Sequence, residues 1–61
     1  MEKYNLIFRI YDEIGNNILS TTVTNTQKIC DAYLREHLKF VNKLKQYNKV
    51  EIQIDYYKID D

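Results

Sequence analysis

Cys30 and His37 are the single thiol and the single imidazole of the sequence, so nucleophilic or metal chemistry would have to be built on them. A thiolate and imidazole pair needs its partners within hydrogen-bond reach. Seven residues along a helix separate them by about 10 Å, which is too far to share a proton. Nor do they suffice for structural zinc, which takes about four ligands. The adjacent carboxylates Asp12-Glu13 and Asp60-Asp61 fall in a turn and in a frayed acidic end, where solvated carboxylates are the ordinary state. One Gly cannot make a phosphate-cradling loop. Tyr, Lys and Arg could serve as acid or anchor only in a water-excluding pocket, which a chain this short does not build. No catalytic, metal-binding or cofactor-binding residue is therefore expected, and neither is an enzyme or a small-molecule substrate.

The elements that must carry these side chains follow from periodicity. From Lys3 to Tyr11 the residues alternate, with Tyr4, Leu6, Phe8 and Ile10 on one face and Asn5, Ile7, Arg9 and Tyr11 on the other, a period-two strand. Gly15-Asn16 suits a two-residue II′ hairpin turn, in which Gly supplies the positive φ. That turn leads into a second strand over about Asn17 to Val23 and sets Phe8 opposite Val23 and Ile10 opposite Thr21. Thr24-Asn25-Thr26-Gln27 has the form of a capping box opening a helix. The helix is expected to run to about Tyr47, with Lys43 and Lys45 in its last turn and Asn48 in a left-handed conformation just beyond it. Alternation returns from Val50 to Tyr56, which gives a third strand.

The expected fold is α+β, of ββαβ type, with one helix packed on one face of a three-stranded sheet. Order 2-1-3, wholly antiparallel and with a right-handed crossover, places the most apolar strand centrally. Order 1-2-3 is the alternative and would leave the first strand on an edge. Sixty-one residues make one domain, 1–61, at the lower end of what folds unaided, where about 60% of the unfolded surface is buried. A second domain and a deep cavity are thereby excluded. Without disulfide or metal, stability rests on apolar packing, and small cores rarely supply more than about 3–5 kcal/mol.

The helix is apolar over more of its circumference than one small sheet requires, so part of it should stay uncovered. Ile29, Tyr33, Phe40 and Tyr47 share one flank, a candidate partner-binding surface. His37 lies near the centre of the apolar arc, where a hydrogen-bonded core or interface role is expected; at a dimer seam its protonation would make association pH-sensitive. No second helix is available for the other sheet face, which leaves Ile7, Arg9, Tyr11 and Tyr57, with Ile18, as a second candidate interface. Glu51, Asp55, Asp60 and Asp61 form a third, acidic one.

Nine Lys plus Arg balance nine Asp plus Glu, which argues against a general nucleic-acid binder. Lys28, Arg35, Lys39 and Lys43 still make a basic stripe on the helix, so nucleic-acid binding stands as an alternative, as does base stacking on Tyr11 and Tyr57 of the open sheet face. Charge is also polarised, basic on the helix and acidic after Lys49, which can orient a partner or drive self-association. The sequence has no long apolar run, so neither a signal peptide nor a membrane partner is expected. One lone Cys suits the cytoplasm. Protein binding is the function expected, whether to a second copy or to a host protein complex.

Lys, Asn, Ile and Tyr make up 27 of the 61 residues, a bias associated with AT-rich genomes of low-GC bacteria, their phages and mobile elements. In size and composition the chain is similar to the small accessory proteins of such elements, including anti-CRISPR and other anti-defence inhibitors. That resemblance implies an inhibitor that blocks a host machine by direct binding, with the acidic end engaging a basic groove of a host nuclease. A homodimeric scaffold or regulatory protein of a bacterial chromosome is the further alternative.

Overall fold

A computed structural model describes residues 2–59. Its elements are β1 (Lys3–Tyr11), β2 (Asn17–Asn25), α1 (Gln27–Leu44) and β3 (Glu51–Ile59). The sheet order is β2-β1-β3, and β1 pairs antiparallel with both neighbours. This is the expected ββαβ fold with the preferred strand order. The acidic end at Asp60-Asp61 lies outside the described residues.

Position 2-1-3 follows from where apolar side chains are densest. Leu6, Phe8 and Ile10 of β1 are fully buried, as are Cys30 and Val41 of α1, and Phe8, Ile10 and Val41 form one cluster. Half-buried Leu19, Leu34, Leu44, Val50 and Ile52 close around Phe8, Ile10 and Val41. A central strand has neighbours on both sides, so only its side chains can be covered laterally as well as from above. The helix backbone approaches β1 and β2 but not β3. Ile54, on the helix side of β3 opposite Phe8, is accordingly 38% exposed. The resulting slab measures 40 × 19 × 11 Å. Its 7.4 kDa expose 4699 Å², where a compact protein of that mass exposes about 4,200 Å².

Three local expectations are corrected. The hairpin is not a two-residue turn: the Asp12 amide donates to the Asn16 carbonyl (2.8 Å) and the Gly15 amide to the Asp12 carbonyl (3.1 Å). Glu13, Ile14 and Gly15 therefore form a three-residue loop with Gly15 at φ +91°, the turn-plus-bulge geometry that also demands a glycine. Asp12 Oδ1 secures it by accepting from the amides of Ile14 (3.0 Å) and Asn16 (2.8 Å). The register moves by two, pairing Leu6 with Val23, Phe8 with Thr21 and Ile10 with Leu19. A shift of two keeps every side chain on its expected face. A bulge at Ile10/Tyr11 is spanned by the Asn17 side-chain amide, which donates to the carbonyls of Ile10 (3.2 Å) and Leu19 (3.0 Å).

The helix ends also differ. Thr24 belongs to β2, and its hydroxyl donates to Asn5 Oδ1 (2.9 Å); the N-cap is Thr26, which makes no side-chain capping bond. Strand pairing as far as Tyr4 opposite Asn25 consumes the residue that a capping box would have used. At the other end α1 stops at Leu44, and Lys45 caps it in a right-handed conformation. The Tyr47 and Asn48 amides both donate back to the Leu44 carbonyl, at 3.0 and 2.8 Å, so the free carbonyl is satisfied without a left-handed Asn48.

Candidate functional site

The helix flank predicted from spacing exists for three of its four members. At 100° per residue Ile29, Tyr33 and Phe40 fall within a narrow arc, and they are 39%, 48% and 47% exposed. They lie on the β2 side, because neighbouring His37 reaches Thr21 of β2 through Nε2 (3.0 Å). Asp31, across the helix, accepts from the Tyr56 hydroxyl of β3 (2.6 Å). That bond, more than any other influence, pushes the Tyr56 phenol up to about 12, since ionising it would set a phenolate against the carboxylate.

Tyr47 leaves this flank because the helix ends three residues before it. It lines an open groove of about 750 Å³ at the loop end of the molecule, with Ile14, Ile18, Leu44 and Val50. Ile14 and Tyr47 are 82% and 83% exposed, the most exposed large apolar side chains described. Glu13 lines the same groove, as do Lys45 and Lys49. Ile14 was missed in the sequence; the available signal was an isoleucine in a loop between Glu13 and Gly15, where turn chemistry ordinarily places small polar residues. Ile18 does not extend the open sheet face as expected, since the bulge beside it takes it out of the alternation.

The open face does carry Ile7, Arg9, Tyr11 and Tyr57, but as a polar network rather than an apolar patch. Thr24 donates to Asn5, and Asn5 Nδ2 donates to the Tyr57 hydroxyl (2.9 Å), a chain across all three strands. Tyr11 donates to Gln53 (3.4 Å). Arg9 stands 3.8 Å from Asp55, and Ile7 sits half-buried between Thr22 and Asp55. Glu51 and Asp55 are strung along β3, about 13 Å apart at strand rise; Asp60 and Asp61 lie outside the described residues. Lys28, Arg35, Lys39 and Lys43 are exposed on the helix face opposite Cys30 and Val41, and Lys39 is paired with Glu36 at 3.3 Å.

His37 is fully engaged. Its Nδ1 donates to the Tyr33 carbonyl (2.6 Å), Nε2 meets Thr21, and the ring packs on Phe8 with centroids 5.0 Å apart. Cys30 is buried with its thiol toward the carbonyls of Tyr4 and Asn25, each at 3.7 Å. Among the described residues no group of three or more potential metal ligands assembles, and no helix is long and apolar enough to cross a membrane. Comparison of the chain with known protein families, with curated proteins and with solved structures finds no match.

Proposed function

We propose that this chain is a small non-catalytic binding protein that docks onto a partner protein through the groove at its loop end. The observation that carries this is the pair Ile14 and Tyr47, each more than four-fifths exposed, flanking half-buried Leu44 and Val50. Keeping two large apolar side chains in water forgoes about 1.5–3 kcal/mol for each one that could be buried, and large exposed apolar groups rimmed by charge mark interaction sites. The partner fits as a protein presenting an apolar side chain, with a cation toward Glu13 and an anion toward Lys45 and Lys49. An inhibitor of a host machine, encoded by a phage or mobile element and acting in the cytoplasm, is the role in keeping with the Lys, Asn, Ile and Tyr bias and the free, buried thiol.

A tagged pull-down from a low-GC bacterial lysate, with and without nuclease, tests the proposal when wild type is run beside Ile14→Asp/Tyr47→Ser. A stoichiometric protein that survives nuclease and is lost with the double variant is the expected result. Partners retained by that variant would overturn docking through the groove. Nucleic acid, with proteins released on digestion, would move the function to Lys28, Arg35, Lys39 and Lys43.

A further inference from the structure

Both edges of the sheet are open to solvent among the described residues, yet the two differ in chemistry. β3 carries Glu51, Asp55 and Lys58, the kind of charge that guards an edge against pairing. Self-pairing of β3 about its middle residue would set Asp55 against Asp55. β2 reads Asn-Ile-Leu-Ser-Thr-Thr-Val-Thr-Asn, nine residues without a charge, a proline or a glycine and rich in β-branched side chains. Beyond the bulge at Ile18, nothing in it guards the edge.

We propose that a second copy of this chain pairs antiparallel with β2, joining two three-stranded sheets into one of six strands with a twofold axis at Thr21. The strand is self-complementary in that register. With Thr21 opposite Thr21, Leu19 pairs with Val23 and Ser20 with Thr22, and beyond the bulge at Ile18 the ends meet as Asn17 and Ile18 against Asn25 and Thr24. In the central rows apolar Leu19 meets Val23 and hydroxylic Ser20 and Thr21 meet Thr22 and Thr21, and no charge opposes another in any row. Self-complementarity is what a twofold interface requires.

The helix fits the same axis. Strands lie about 4.8 Å apart, and the backbone of α1 approaches β1 and β2 but not β3. A helix seated between those two strands is about 5 Å from a seam just outside β2, so the two helices stand about 10 Å apart, within packing distance. His37 marks the level of the axis, because it bonds Thr21. Tyr33 and Phe40 lie four residues before it and three after, nearly equidistant, so in antiparallel helices Tyr33 of one copy meets Phe40 of the other. These are the exposed flank residues on the β2 side. Glu36, the acid nearest the axis, is already neutralised by Lys39. Of the groove residues the dimer touches only Ile18, at the end of the strand, and it stands independently of the function proposed for Ile14 and Tyr47.

Sedimentation velocity between about 1 and 200 µM tests the dimer, with circular dichroism to confirm folding. Wild type is expected to shift from monomer to dimer across that range. Ser20→Lys/Thr22→Lys places lysine opposite lysine in the proposed register and is expected to raise the dissociation constant at least tenfold. Ser20→Glu/Thr22→Lys places glutamate opposite lysine and is expected to keep the dimer. A wild type that stays monomeric, or a dimer indifferent to the lysine pair, would overturn the proposal. Should the lysine variant fail to fold, an equimolar mixture of Ser20→Cys and Thr22→Cys chains reads the same register. A disulfide-linked dimer that forms faster in the mixture than in either chain alone is expected, and equal rates would count against it. Running the lysine pair in the pull-down separates the two surfaces, since loss of the dimer leaves capture through the groove intact.

Discussion

Removal of one methylene from an isoleucine at three depths reports directly on how the helix covers the sheet. Ile10 is fully buried, Ile54 is 38% exposed and Ile14 is 82% exposed. Ile→Val keeps the β-branched shape, so strand preference changes little, and the loss is chiefly burial at about 0.8 kcal/mol per methylene. Scaled by exposure this gives about 0.5 kcal/mol at Ile54 and about 0.15 kcal/mol at Ile14. Ile10 takes the full transfer loss plus a cavity, together about 1–1.5 kcal/mol. Equilibrium urea denaturation of the three variants, analysed at a common slope, measures the series. Against a total of about 3–5 kcal/mol for a core this small, Ile10→Val should visibly lower the midpoint while Ile14→Val leaves it unmoved. A loss at Ile54 equal to that at Ile10 would refute the uncovered position of β3, and a comparable loss at Ile14 would refute its exposure.

Two further outcomes follow from single contacts. The folded-state Tyr56 phenol, raised to about 12 by Asp31, holds its proton above the ordinary tyrosine value of about 10. Its contribution to stability is therefore complete below about pH 10 and is lost as pH rises toward about 12, where the unfolded chain binds fewer protons than the folded one. Urea midpoints followed from pH 9 to 12 should fall less steeply in Tyr56→Phe than in wild type; parallel slopes would contradict the bond. Thr26 caps α1 without a side-chain bond, and the first turn holds no acid. Thr26→Asp supplies both an acceptor and a favourable charge, and should raise stability by about 0.5–1 kcal/mol in the same denaturation assay.

The sheet was legible because alternation in β1 and β3 is nearly unbroken, and because the density of Leu6, Phe8 and Ile10 leaves β1 no place but the centre. Loop geometry was less so. Gly15 announces a positive φ, but two-residue and three-residue hairpins both use one, and the backbone bonds of Asp12, secured by its carboxylate, distinguish them. The cap was misplaced because Thr24 suits a strand as well as a helix start, and pairing with β1 decided between them. Of the candidate site residues, Ile29, Tyr33 and Phe40 follow from helical spacing alone. Tyr47 does not, since its place depends on where the helix stops, and Ile14 acquires meaning only when the loop folds back toward Leu44.

Strand β1 meets β2 across a short loop, but its pairing with β3 joins Tyr11 to Glu51 and Lys3 to Ile59. Half of the ladder thus depends on closing a loop of at least forty residues, a cost in chain entropy that is repaid only when the far segment docks. Until it does, the most apolar strand of the protein presents a bare row of amides and carbonyls along one side. Folding is therefore close to all-or-none, with β3 acting as the latch. A cut or truncation within Glu51–Ile59 would do more than shorten the sheet: it would turn the protein's central strand into an adhesive template for other chains.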